Sequence, residues 1–122
     1  MRRREILLIA LATATAALAG SALYSRHQTH RRGLEYRTRL TEFRRAIPVG
    51  SNRKTVEAYL DSHNFDFATV RHGGSPNSVI QVQIGEVPDK YGCSRWEIYV
   101  EFEFADDDTL RDTHIAEAGV CL

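Results

Sequence analysis

Cysteine is scarce in this sequence, which contains only Cys93 and Cys121. The two are too far apart for the CxxC spacing of metal-binding thiols, and neither belongs to a recognisable Cys/His nucleophile motif. An even number of cysteines in a small exported domain favours a disulfide. A bridge here would close a loop of about 29 residues and contribute roughly 3 to 3.5 kcal/mol on the chain-entropy account. We therefore predict a Cys93 to Cys121 disulfide.

The motifs of several common enzyme classes are also missing. The sequence has no GxSxG nucleophile turn and no glycine-rich loop that ends in GK[ST]. Its carboxylates show no pairing in contrasting environments, which acid and base catalysis would need. We expect a domain that is not an enzyme, with no cofactor, no bound metal and no small-molecule substrate.

The net charge is zero, but the charges are unevenly distributed. Residues 1–60 have twelve basic and four acidic side chains, a net charge of +8, and residues 61–122 have the reverse, −8. A nucleic-acid-binding domain would need a basic folded part, and the folded half here is acidic. The basic half suits anionic lipid headgroups, at about 1 kcal/mol per charge, although a solvated linker and helix face would look the same.

Charge is absent from Ile6 to Tyr24, a run of nineteen residues that follows three arginines. As a helix this run would be roughly 28 Å long, close to the bilayer hydrocarbon thickness of about 30 Å. A cleavable signal peptide is the alternative, with cleavage after Ala19. We favour an uncleaved anchor because the apolar run continues beyond that site through Leu23 and Tyr24.

Both alternatives place the rest of the chain outside the cytoplasm. The expected organisation is an anchor or signal peptide over residues 1–24, a basic linker over residues 25–33 and a folded domain over residues 34–122. The expected location is the inner (cytoplasmic) membrane, with a single pass through residues 6–24, or the periplasm if the leader is cleaved.

Apolar periodicity predicts two helices at the start of the folded domain. The first runs from Leu34 to about Ala46 and ends before Pro48. The second follows Gly50, which turns the chain, and is capped by Ser51 or Asn52. The apolar stripes are Tyr36, Leu40, Phe43 and Ile47 in the first helix, and Val56, Tyr59 and Leu60 in the second.

A phosphate-binding loop would combine several glycines with a lysine after a strand. Here one glycine follows a helix, and Lys54 lies inside the second predicted helix. Gly50 is therefore interpreted as a turn.

Beyond residue 64 the pattern changes to β-strands. "FDFATV" predicts a short edge strand, and a flexible stretch, residues 71–78, follows it. "SVIQVQIGEV" and "WEIYVEFEF" alternate apolar and polar residues, which is typical of strands with one buried face. "ADDDT" predicts a tight turn, and Leu110 to Glu117 predicts the last strand of an antiparallel meander.

The order of these elements resembles the BamE (SmpA) family of small envelope domains over about residues 40–117. The first matching block is Ile47, Gly50, Asn52, Val56 and Leu60, and the second is Val100, Phe102, Phe104, Asp107 and Leu110. The resemblance implies an α+β fold, two helices packed on a three- to four-stranded antiparallel sheet, and a binding or scaffolding module without catalytic residues. BamE proteins are lipoproteins, whereas the first cysteine here is Cys93, so the resemblance points to a membrane-anchored variant without the lipid. A β-lactamase-inhibitor-like arrangement uses similar units and is an alternative description of the fold.

The candidate partner-binding face is the polar side of the strand at residues 96–104. Its members are Glu97, Tyr99, Glu101 and Glu103, and a solvated face is the plain alternative. His27 and His30 are spaced at i, i+3 and could coordinate a metal only with a third ligand from elsewhere, whereas His63, His72 and His114 are explained by surface or edge positions. The run Asp106 to Asp108 is explained by a solvated hairpin, because a calcium loop needs spaced oxygen ligands.

These observations predict a membrane-anchored, extracytoplasmic protein-binding or scaffolding module of the bacterial cell envelope, whose partner is an unidentified envelope protein. The alternative is a periplasmic metal-binding protein or small enzyme that uses surface His and Asp residues.

The leader can be tested by substituting Thr15→Arg. An arginine at the centre of a membrane-spanning helix costs about 2.5 to 3.5 kcal/mol of insertion free energy, so the variant should leave the carbonate-resistant membrane fraction, while Ser25→Arg outside the run should stay in it. The intact mass of the unsubstituted protein should be that of an uncleaved chain. A soluble chain that begins at Gly20 would contradict the anchor.

Overall fold

The computed structural model describes residues 3–90 and 93–121, and the side chains of all of these except residues 88–90 and 93. Two helices are followed by four strands. Their bounds are α1 Arg3–Ala46, α2 Arg53–Ser62, β1 Phe67–Arg71, β2 Ser78–Lys90, β3 Cys93–Phe104 and β4 Leu110–Val120. The fold class is α+β with a four-stranded antiparallel sheet, as the sequence predicts.

The chain divides into two compact units between Glu35 and Tyr36. The described part of the first unit is helical, and its large apolar side chains, including Leu7, Leu11 and Leu18, are exposed. By length and composition α1 is apolar enough to cross a membrane, a test that a signal sequence also passes.

The predicted linker at residues 25–33 is helical, which corrects the expected helix start at Leu34 and makes α1 one helix. The segment lacks proline, and its polar side chains bond within the helix: Thr29 Oγ1 donates to the Ser25 carbonyl at 3.0 Å and Gln28 Nε2 to the Tyr24 hydroxyl at 2.9 Å. The side chains of residues 25–33 are mostly exposed, so the missing apolar periodicity reflects their exposure rather than a break in the helix.

In the second unit the strands lie in the order β1-β2-β3-β4, a simple meander with β1 and β4 at its edges. The predicted edge strand is β1. The register between β2 and β3 shifts between Gln83 and Gly85, where a bulge interrupts the ladder. Ile80 and Val82 before the bulge face the core, as predicted, and Gly85 takes the position opposite buried Ile98 after it.

One face of the sheet is covered by the end of α1 and by α2. Phe43 is 3% exposed and contacts Phe102 edge to face, with ring centroids 5.5 Å apart. Aromatic pairs of this geometry contribute about 0.5 to 1.5 kcal/mol beyond the area they bury. The buried cluster is Phe43, Ile47, Val56, Leu60, Ile80, Val82, Val100, Phe102, Phe104 and Leu110.

The segment between the helices is a turn, as predicted. Gly50 has φ +92°, in the left-handed region that favours glycine, and its amide donates to the Leu110 carbonyl at 2.8 Å. Asn52 is the N-cap: its Oδ1 accepts from the Thr55 amide at 2.8 Å. The Arg53 amide donates to the Asp108 carbonyl at 3.0 Å. The Gly50 and Arg53 amides therefore bond to carbonyl groups of the protein itself. These two bonds join the interhelix segment and the start of α2 to the chain around the start of β4.

The bulge glycine makes a close contact with α1. A Cβ at Gly85 would lie 2.5 Å from Cε1 and Oη of Tyr36, inside van der Waals contact. The absence of a side chain at residue 85 therefore lets the Tyr36 ring lie directly on β2.

Gly85→Ala should destabilise the protein by about 1 to 3 kcal/mol, because the added methyl group displaces Tyr36. In a Tyr36→Ala background the same change should cost far less, which a double-mutant cycle in urea measures. Gly73→Ala, at a position with open space around it, is the matched control. If Gly85→Ala lowers the free energy of unfolding equally with and without Tyr36→Ala, the contact between Gly85 and Tyr36 is refuted.

Candidate functional site

The sheet face opposite the helices is built around one buried carboxylate. The strand register aligns Gln81 of β2, Glu101 of β3 and His114 of β4 in one row across the sheet. Directly opposed residues of antiparallel strands project from the same face. Glu101 is only 5% exposed, so the plain alternative of a solvated face does not hold at this position of β3.

Three nitrogen atoms surround the Glu101 carboxylate. Gln81 Nε2 lies 2.6 Å from Oε1, His72 Nε2 lies 3.0 Å from the same oxygen, and His114 Nε2 lies 3.1 Å from Oε2. Burial alone would raise the pKa of Glu101, but the hydrogen bonds from Gln81 and His72 and the two histidine charges outweigh it and lower the pKa. The carboxylate is therefore ionised at neutral pH and accepts from all three groups.

His72 reaches this site from the segment after β1. The segment turns through a hydrogen bond from the Ser75 amide to the His72 carbonyl, at 3.1 Å, with Gly74 at φ +85°. Beside it lies an open pocket of about 490 Å³. The pocket is lined by His72, Ser75, Pro76, Asn77, Val79, Glu101, Glu103, Phe104, Asp106, Arg111 and His114.

The other members of the predicted partner-binding face also have partners. Glu97 accepts from the Tyr99 hydroxyl, and this bond, followed by burial, raises the pKa of Tyr99. Arg95 Nη2 lies 3.3 Å from Glu97 Oε1, and Arg111 forms an ion pair with Glu103. The strand therefore presents matched charges rather than an unbalanced acidic surface.

A group of possible metal ligands lies at the β3–β4 end of this face. One ligand atom from each of Glu103, Asp112 and His114 lies within 4.8 Å of the others. Glu103 is opposite Asp112 in the register, and His114 is two residues further along β4, on the same face. The sequence analysis placed His114 on the last strand but did not identify Asp112 as a candidate ligand. The available signal was the alternation in "DTH", residues 112–114, which lies opposite "EFE", residues 101–103.

The remaining sequence candidates lie elsewhere. His27 and His30 are exposed on α1, and His63 is the C-cap of α2, where its ring stacks on Tyr59. The three consecutive aspartates accept hydrogen bonds from different groups. Asp106 accepts from Asn77, Asp107 from Thr109 and Asp108 from Arg53. They form the predicted turn and do not converge on one point.

The predicted disulfide lies only partly within the described residues. Cys121 is disulfide-bonded, and it follows Val120, which pairs with Arg95 near the start of β3. The side chain of Cys93 lies outside the described residues, so its pairing with Cys121 stays a prediction.

In comparisons with protein-family models, with curated proteins and with solved structures, nothing matches this chain.

Glu101→Gln should lower the free energy of unfolding at pH 7 by about 1 to 3 kcal/mol, because an amide cannot accept from three donors at once. Since the folded state lowers the pKa of Glu101, its contribution is present above the pKa of the unfolded carboxyl and is lost as the pH falls toward the folded value. The variant should therefore lose less stability on acidification than the unsubstituted protein.

Urea unfolding from pH 7 to pH 3 in the presence of a chelator measures both effects. The control is Glu86→Gln, whose carboxylate is half exposed and pairs with Arg95, so its loss should stay below about 1 kcal/mol. If both variants have the same stability and the same pH profile, the buried carboxylate has no special role.

Proposed function

We propose that this protein is a membrane-anchored, extracytoplasmic module of the bacterial cell envelope that binds or scaffolds another protein. The proposal combines two features of the chain. Its N-terminal segment suits the interior of a bilayer, and its second unit has a sheet with one face left uncovered by its own helices.

The first feature is the chemistry of residues 6–24. The hydroxyl groups of Thr13 and Thr15, the polar side chains near its centre, donate to the Ile9 and Leu11 carbonyls at 3.1 Å. A hydroxyl that bonds within its own helix leaves no unsatisfied donor to face lipid. The threonine content of the segment is therefore compatible with a membrane-spanning helix.

The second feature carries the binding proposal. The helices cover one face of the sheet with the apolar cluster, and the opposite face combines the Glu101 site with the open pocket. A concave region with a few convergent polar groups is the usual form of a binding site. Because the carboxylates there already have intramolecular partners, a bound protein would be recognised through shape and hydrogen bonds more than through net charge.

The resemblance to the BamE family supports the same interpretation, since those domains are binding or scaffolding modules at the envelope. The helix pair, the turn at Gly50 and the antiparallel meander are the elements on which the resemblance was based.

A photo-crosslinking amino acid at Gln83, which is exposed on the uncovered face, tests the proposal in intact cells. It should give one discrete protein adduct, and the same amino acid at Ala58, exposed on α2, should not. In isolated membranes the Gln83 adduct should form with similar yield when the sample is irradiated at raised salt, since matched charges make screening a small effect. Absence of an adduct from Gln83, or the same adducts from both positions, would contradict binding through this face.

A further inference from the structure

The mixed carboxylate and imidazole cluster on β3 and β4 has the donor types of a transition-metal site. Glu103 and Asp112 supply oxygen and His114 supplies nitrogen, with ligand atoms within 4.8 Å of one another. Histidine nitrogen and Asp or Glu oxygen are both zinc ligands, and open zinc sites use three protein ligands with a fourth position left for water. Glu103 and His114 also line the open pocket, so an ion could reach them from solvent.

The orientation of the His114 ring is the second, independent observation. Its Nε2 lies 3.1 Å from Glu101 Oε2, and its Nδ1 is buried without a hydrogen-bond partner among the described residues. Nδ1 lies 3.4 Å from Asp112 Oδ2, an ion-pair distance without hydrogen-bond geometry. A buried nitrogen that lacks a partner is costly, and a metal ion between Nδ1 and Asp112 would satisfy it.

The buried carboxylate completes a known arrangement of metal sites. A ligating histidine usually donates its other ring N–H to a carboxylate, which fixes the tautomer and makes the ligating nitrogen more basic. Glu101 is placed to do this for His114, and it is itself held by Gln81. The orienting group is therefore in position before any ion binds.

We propose that Glu103, Asp112 and His114, through Nδ1, bind one divalent transition-metal ion of the zinc type, with Glu101 as the positioning residue. This goes beyond the proposed function, because the site is defined whether or not the domain binds a protein. Arg111 pairs with Glu103. Its guanidinium therefore competes with the metal ion for that carboxylate and lowers the affinity of the site for the metal.

Zinc chloride titrated calorimetrically into the full-length protein in detergent, after chelator treatment, should show one saturable site. Asp112→Asn should weaken zinc binding at least about tenfold, and Glu101→Gln by about 10- to 100-fold although it removes no ligand. Because Asp112 is half exposed, Asp112→Asn should keep the fold even if Glu101→Gln does not. Arg111→Gln should tighten binding.

The matched controls are Glu86→Gln and the double change His27→Gln with His30→Gln, which should leave the zinc affinity unchanged. In a ¹⁵N-labelled sample, zinc should shift the Nδ1 resonance of His114 more than its Nε2 resonance. The proposal is overturned if no saturable binding occurs, if the controls weaken binding as much as Asp112→Asn, if Arg111→Gln weakens it, or if the Nδ1 resonance does not move.

Discussion

The buried carboxylate of Glu101 organises the face of the sheet that the helices do not cover. An ionised group at 5% exposure is tolerated only when its hydrogen bonds replace those of water. Gln81, His72 and His114 supply them from β2, from the segment after β1 and from β4. This interaction therefore links groups from all parts of the sheet, and it orients the two histidines beside the pocket.

The face under the helices is held by ordinary apolar packing. Hydrogen bonds around this apolar cluster fix the position of the helices on the sheet. The Gly50 amide and the Leu110 carbonyl join the interhelix turn to β4. Arg53 extends this junction: its guanidinium lies 4.2 Å from the centroid of the Phe104 ring and contacts Asp108, a cation–π contact next to an ion pair. Arg44 donates to the Thr113 carbonyl on the edge strand at 2.6 Å. Helices and sheet are thus joined by polar contacts around an apolar centre.

Local patterns in the sequence were sufficient to predict most of this architecture. The stripe through Phe43 and Ile47, the Asn52 cap and the alternation along β3 depend on neighbours within a few residues, so the sequence contains the information directly. The extension of α1 through residues 25–33 was missed because apolar periodicity marks a buried helix face, and the side chains of this segment are mostly exposed. The bulge at Gly85 was missed because its cause, the Tyr36 ring, is distant in sequence.

The candidate site was less predictable for the same physical reason. Glu101 resembles Glu97 and Glu103 in an alternating strand, and only the register with Gln81 and His114 distinguishes it as the buried member. Cross-strand partners are set by tertiary pairing, which single-strand periodicity does not encode.

Because Glu101 is ionised and can only accept, neutral His114 must carry its proton on Nε2 and a lone pair on Nδ1. Long-range ¹H–¹⁵N correlation spectra of the metal-free protein near neutral pH report this tautomer directly. We predict that the ring of His114 is in the Nε2–H form and shifts toward the Nδ1–H form in Glu101→Gln. A protonated Nδ1 with an unprotonated Nε2 in the unsubstituted protein would contradict the account.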